Sequence, residues 1–168
     1  MKKNLSTYIF IFVFTSLYAQ KPFKGGEIYS NEKVLYGKFE MRMKMIKGGG
    51  MLSTFYTIEH KSKIKNHWSE IDIEVLGKEN AQILHTVLEV NLDYSLADDF
   101  HTYTLEWTPE YVAWFIDGKE IRRKTGDFVN HMNIPQEYRF NAWISSTPAW
   151  VGTIDTSAMP AYQYVDWV

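Results

Sequence analysis

The chain has 168 residues, 16% of them aromatic, no cysteine, and a formal net charge of −2 from eighteen basic and twenty acidic side chains. That length and composition suit one globular domain with a sizeable core. The near balance of charge provides no positive field for phosphate, which argues against nucleic acid as a partner.

The first residues, MKKNLSTYIFIFVFTSLYAQ, place Lys2 and Lys3 ahead of an apolar run from Tyr8 to Phe14, followed by small and polar residues ending at Ala19. This is the layout of a cleavable secretory signal, expected to span residues 1–19. The run falls short of the ~20 apolar residues that cross a bilayer, so no membrane span is expected in the mature form. Without a cysteine there is no lipoprotein anchor. Cleavage removes two lysines and no acid, which leaves a mature domain over residues 20–168 with a net charge of −4.

Along that domain, strand-like segments recur at short spacing. The stretch YGKFEMRMKMI alternates from Tyr36 to Ile46, the glycines Gly48 to Gly50 break it as a flexible turn, and MLSTFYTI follows. EHKSKIKN reads as an exposed basic loop that leads into NHWSEIDIEVLGKE. ILHTVLEVNL and FHTYTLEWT come next, and EYVAWFIDGKEIRRK is a hairpin turning on Asp117 and Gly118. YRFNAWIS and AYQYVDWV complete the series. No long segment of helical period interrupts it, so the fold class is all-β, an antiparallel β-sandwich with loops at its rims.

In the acidic segment, Glu70, Asp72 and Glu74 alternate with Ile71, Ile73 and Val75. On a strand the three acids share one face and the three apolar residues the other. Like charges this close are unfavourable unless one takes up a proton or a cation sits among them. Cleavage of a glycosidic bond needs one carboxylate at the anomeric carbon and one carboxylic acid to protonate the leaving oxygen, and Glu70 and Glu74 can supply the pair. Their Cα atoms stand ~13 Å apart on a flat strand, which does not separate retaining from inverting geometry. The charge of Asp72 between them would help to hold a glutamate protonated. A solvated strand face that carries acids without chemistry is the alternative at this point. The five histidines have no tight ligand spacing, and no nucleophile elbow, phosphate loop or dinucleotide fingerprint occurs.

EIDIE at Glu70 to Glu74, preceded by Trp68 and followed by VLGK, resembles the active-site signature of glycoside hydrolase family 16, in particular its bacterial lichenases, endo-β-1,3-1,4-glucanases. YGKFEMRMKM, FHTYTLEWTPEYVAWFIDGKEIRR, YRFNAW, AWVG and YVDWV resemble segments that occur in the same order in those enzymes, so the resemblance covers most of Gly26 to Val168.

The resemblance implies a concanavalin-like jelly roll with a cleft on its concave face and a retaining double displacement. Glu70 would be the nucleophile, Glu74 the general acid/base and Asp72 their assistant, with no cofactor for catalysis. The unbulged motif favours lichenase-like over laminarinase-like activity. Trp68, Asn141 and Trp143 match residues that stack on or hydrogen-bond glucosyl units, and Tyr56 or Phe55 would line the far subsites, whereas Trp107 and Trp114 read as core. Asp166 matches a position that contributes to a structural calcium site in some relatives. Thr86 stands where relatives have a cleft asparagine, and Ile58 where they have an aromatic.

The order of segments resembles that of a circularly permuted lichenase in which some terminal strands have no counterpart, so the expectation is either a fragment of a longer protein or a sandwich that lacks strands and exposes an edge. The expected partner is β-glucan polysaccharide, bound by a monomer. The alternatives are another family 16 specificity, namely β-1,3-glucan hydrolysis or transglycosylation, and a glucan-binding module without turnover.

Overall fold

The computed structural model describes residues 22–59, 69–78, 82–85 and 88–168. The expected signal, the basic loop, Trp68 and Thr86 lie outside the described residues. Among the described residues, eleven strands form two antiparallel sheets. The six-stranded sheet runs in the order β1 (Gly26–Val34), β10 (Gln136–Ile144), β3 (Met51–Glu59), β4 (Ser69–Leu76), β5 (Gln82–His85), β6 (Leu88–Asn91). The five-stranded sheet runs β11 (Tyr164–Trp167), β2 (Gly37–Lys44), β7 (His101–Trp107), β8 (Tyr111–Ile116), β9 (Lys119–Thr125). Two four-residue helices, α1 (Asp127–Asn130) and α2 (Pro148–Val151), and a short 3-10 turn at Thr156–Ala158 decorate the rims.

The core lies between the sheets and follows from period-two patterning. Met41 and Met43 of β2, Tyr103, Leu105 and Trp107 of β7, and Val112, Trp114 and Ile116 of β8 meet Phe55 of β3 and Ile71, Ile73 and Val75 of β4. Trp107 and Trp114 are both buried, and each spends its indole N–H on a backbone carbonyl, Trp107 on Met132 at 2.9 Å and Trp114 on Asp72 at 2.9 Å. The second of these bonds ties the acidic strand to the facing sheet. Asp117 and Gly118 turn the β8–β9 hairpin with φ of 49° and 76°, the left-handed pair that a two-residue hairpin of this twist requires.

Three expectations change. ILHTVLEVNL is two short strands, β5 and β6, paired as a hairpin, because Gln82 lies opposite Asn91 and His85 opposite Leu88. Phe55 is fully buried among Phe39, Phe140 and Ile73, so it is a core residue and not a cleft residue; its partner across β4 is Ile73 on the apolar side of the strand.

The glycines Gly48 to Gly50 form a packed junction and not a free turn. A Cβ on Gly49 would stand 2.3 Å from the carbonyl oxygen of Thr153, and Gly50, at φ 78°, lies against Ile154. Gly77, just past the acidic strand, closes the same junction: its N–H bonds Met51 O at 2.8 Å, and its carbonyl accepts from Gly48 N at 2.7 Å.

A Cβ on Gly77 would meet three backbone oxygens, those of Gly48, Ile46 and Met51, at 2.6, 3.0 and 3.1 Å. Gly77→Ala is therefore expected to destabilise the fold by about 1–3 kcal/mol, the usual cost of overpacking. Gly26→Ala, where a Cβ meets nothing within 4 Å, should change the urea midpoint far less; equal midpoints for the two variants would refute the junction.

Candidate active site

The acidic strand is held from its apolar side. Ile71, Ile73 and Val75 are each no more than 2% exposed, and this fixes Glu70, Asp72 and Glu74 on the opposite, half-buried face. At the start of β4 a buried polar chain sets the register: Thr57 Oγ1 donates to Gln136 Oε1 at 2.6 Å, and Gln136 Nε2 donates to Ser69 Oγ at 2.7 Å. Buried polar atoms need such partners, so β3, β4 and β10 are locked together one residue before Glu70.

Strand pairing then sets the neighbours of each acid in rows across the sheet. Glu70 lies opposite Ile58, which pairs with Glu137 and, through it, with Lys33. Asp72 lies opposite Tyr56, then Arg139, then Tyr29, and Glu74 lies opposite Thr54, then Asn141, then Glu27. Leu76, Leu52 and Trp143 form the next row, capped by Val151 and Trp150. The three acids thus border a small apolar platform on which the Trp143 and Trp150 rings meet at 5.8 Å. Trp143 Nε1 points to Thr54 Oγ1 at 3.4 Å. Ile58, which stands where the resembled enzymes have an aromatic, is buried beside Glu70.

The electrostatics follow from burial of like charges. Desolvation, then the neighbouring Glu70 and Glu74 charges, push Asp72 up to about 8 from 3.8. Desolvation, then Glu70, push Glu74 up to about 7 from 4.5. Asp72 therefore holds a proton at neutral pH, and the charge that helps to keep Glu74 protonated is that of Glu70, not that of Asp72 as the strand pattern alone suggested. An acid near neutrality beside a second carboxylate is the electrostatic arrangement needed for proton donation to a glycosidic oxygen.

Tyr56 and Asn141 stand in the rows of Asp72 and Glu74. The Tyr56 hydroxyl donates to Glu27 Oε2 at 2.6 Å, and burial, then Glu27, push it up to about 12. Arg139 donates from Nη1 to Glu27 at 2.8 Å and from Nη2 to Glu137 at 2.6 Å and covers the Tyr29 ring at 5.2 Å. Asn141 Oδ1 and Arg139 Nε are buried without a hydrogen-bond partner. Orphaned polar atoms on a cleft floor suit ligand hydroxyls. The sequence reading passed over Arg139, Glu27 and Trp150; the alternation of Arg139 with Asn141 and Trp143 in YRFNAW was the signal for the first.

Asp166 stands on β11 with its carboxylate accepting from Arg42 Nη1 at 2.8 Å. Among the described residues no three His, Asp or Glu side chains gather to hold a metal. With the Arg42 guanidinium on that carboxylate, the described residues do not fit a calcium cage of six or more oxygens.

The sequence profile of Glycosyl hydrolases family 16 matches residues 13–168. A β-glucanase of Fibrobacter succinogenes is 40% identical over 168 aligned residues, which covers 92% of this chain and 48% of that relative. The chain spans about half the length of the curated relatives it matches. Among solved structures, the Bacillus licheniformis β-glucanase superposes with a TM-score of 0.73 at 28% identity over 84% of this chain and 68% of that one. A β-1,3-1,4-glucanase (lichenase) from a mouse hindgut metagenome superposes with a TM-score of 0.72 at 29% identity, over 89% and 72%.

The raised carboxyls make stability depend on pH in a defined direction. Between about pH 4 and pH 8 the folded chain keeps protons that the unfolded chain has released, so stability falls as pH rises through this window and is least affected below it. Asp72→Asn should flatten that fall and raise stability at pH 8 by at least about 1 kcal/mol. Urea midpoints between pH 4.5 and 8.5 that keep the wild-type slope in the variant would contradict this.

Proposed function

The chain belongs to glycosyl hydrolases family 16, and on that premise we propose that it cleaves β-glucan, preferentially of mixed β-1,3-1,4 linkage, by a retaining two-carboxylate mechanism outside the cytoplasm. The observation that carries this reading is the acid strand itself, where Glu74 titrates near neutrality beside Glu70 on a half-buried sheet face. In the first step the Glu70 carboxylate attacks the anomeric carbon while Glu74 gives its proton to the departing glycosidic oxygen, leaving a glycosyl ester on Glu70. In the second, the Glu74 carboxylate takes a proton from water, the water oxygen attacks the anomeric carbon, and the ester bond breaks to free Glu70. Asp72, protonated through most of this range, offers a neutral hydrogen-bond donor next to the nucleophile and spares the strand a third negative charge.

Substrate binding follows the cleft rows. Trp143, with Trp150 behind it, presents an aromatic face for the C–H face of a pyranose ring, and Asn141 Oδ1 accepts from a sugar hydroxyl. Tyr56 lines the row of Asp72 and is held in place by Glu27. Trp68, which lies outside the described residues, remains part of the proposed aromatic lining from the sequence resemblance. Export by the N-terminal signal layout puts the enzyme where polysaccharide is found; among the described residues no helix is long and apolar enough to cross a membrane.

A transglycosylase structure, Crh5, also superposes, with a TM-score of 0.70 at 28% identity, so transfer to a sugar acceptor in place of water is the second reading. Product analysis separates the two.

Purified protein should release reducing sugar from mixed-linkage β-glucan, and Glu70→Gln should release none. Glu74→Gln should lose about 10²–10⁴-fold on polymer, the usual contribution of a general acid, and much less on an aryl glycoside whose leaving group needs no proton. Activity should decline as pH rises past about 7, where Glu74 loses its proton. Saturable glucan binding by a folded protein with no new reducing ends would replace hydrolysis with a binding role.

A further inference from the structure

The outer face of the five-stranded sheet, turned away from the acids, carries a strip of aromatic rings that the acid cleft does not use. Side-chain parity puts it there. Gln163 and Val165 face inward, Gln163 with Nε2 at 3.6 Å from Met43 Sδ and Val165 paired with the buried Met43. Tyr162 and Tyr164 therefore face outward, 58% and 47% exposed. The Tyr164 ring lies 6.2 Å from that of Tyr162 and 6.3 Å from that of Phe100, the residue before β7. Lys44 of β2 stands opposite Tyr164, and its ammonium lies 5.0 Å from the Tyr164 ring and 5.7 Å from the Phe100 ring. The Arg42 guanidinium covers Phe100 at 4.7 Å and bonds Asp166 at 2.8 Å.

On the reading of the chain as a glucan-cleaving enzyme, we propose that this strip is a second glucan-binding site, which holds a neutral β-glucan chain while another stretch of polymer lies at Glu70 and Glu74. A pyranose ring offers an apolar C–H face bordered by hydroxyls, and the strip offers the complement: ring faces bordered by tyrosine hydroxyls, the Lys44 ammonium and the Arg42–Asp166 pair. The cations also hold Tyr164 and Phe100 in position before a ligand arrives, so less side-chain freedom is lost on binding. Arg42 is matched by Asp166, so the strip lacks the surplus of positive charge that selects a polyanion. A contiguous run of exposed rings on a sheet face is otherwise a liability. The core separates the strip from the acids, so one sugar unit cannot occupy both sites. One polymer, or two neighbouring chains, can. The second contact then raises the local concentration of cleavable linkages.

The test follows retardation of the full chain in gels that contain mixed-linkage β-glucan, with Glu70→Gln present throughout to stop turnover. Adding Tyr162→Ala and Tyr164→Ala together should weaken the retardation by about three- to tenfold per ring removed. Tyr162→Ala alone, at the most exposed ring, should give part of that loss and serves if the pair lowers the urea midpoint. With Glu70 intact, the tyrosine changes should raise KM on polymer and leave kcat/KM on a short aryl glucoside unchanged, because the strip lies away from the acids. Folded tyrosine variants retarded as strongly as their parent overturn the proposal. Stronger, salt-sensitive retardation by carboxymethylated glucan assigns the strip to a polyanion and overturns it too. So does self-association of the chain that the tyrosine changes abolish, which would make a second copy the occupant. Loss of the hydrolytic reading is seen separately: a chain with Glu70 intact that releases no reducing sugar, yet is retarded through Tyr162 and Tyr164, keeps the strip and not the enzyme.

Discussion

Three carboxyl groups on successive outward positions of one strand repel one another, and their confinement on that strand is the constraint from which the chemistry follows. The confinement comes from the reverse side of β4, where Ile71, Ile73 and Val75 are shut into the core. Burial of those three side chains contributes roughly 5–9 kcal/mol, an upper figure because unfolded chains are already partly collapsed. The electrostatic cost on the other face is of the order of a few kcal/mol at neutral pH. Apolar burial offsets it, so the strand stays in place and the acids respond by holding protons instead of moving apart. A β-sandwich suits this purpose because one strand can face a dry interior and a polar cleft at once.

The facing sheet adds precision. The Trp114 indole reaches across the core to the carbonyl of Asp72, so the middle of the acidic strand is tied to the five-stranded sheet by a directional bond as well as by packing. At one end the chain of Thr57, Gln136 and Ser69 prevents register slip, which would turn every acid inward. At the other, the Gly77 junction and the bond from Lys78 Nζ to Trp150 O at 2.7 Å join the strand to the helix that carries Trp150. The acidic strand and the Trp143–Trp150 pair are therefore joined by direct hydrogen bonds as well as by packing.

Much of this was legible in one dimension. Strict alternation in EIDIE identifies the two faces of β4 without knowledge of its neighbours, because side-chain direction on a strand depends only on parity. The Asp117-Gly118 turn is local for the same kind of reason: positive φ at both positions is a property of the dipeptide. The choice between Tyr56 and Phe55 was not legible, since parity within β3 becomes meaningful only once Phe55 is set opposite Ile73. Nor were the two strands inside ILHTVLEVNL, whose near-continuous apolar pattern does not mark the reversal between His85 and Leu88.

The sequence by itself determined the fold class, the strand carrying the acids and their common face, because these rest on local periodicity and on the chemistry of residue types. Only the tertiary structure decided which acids carry protons, because desolvation is set by what covers the strand. It alone brought Glu27 to Arg139 and Tyr56 across more than a hundred and across twenty-nine positions of chain, and Trp150 to Trp143 in the next row. It also left Ile28 and Val165 exposed on edge strands among the described residues: their exposure depends on which strands lie beside them, and strand order is a long-range property that no local pattern encodes.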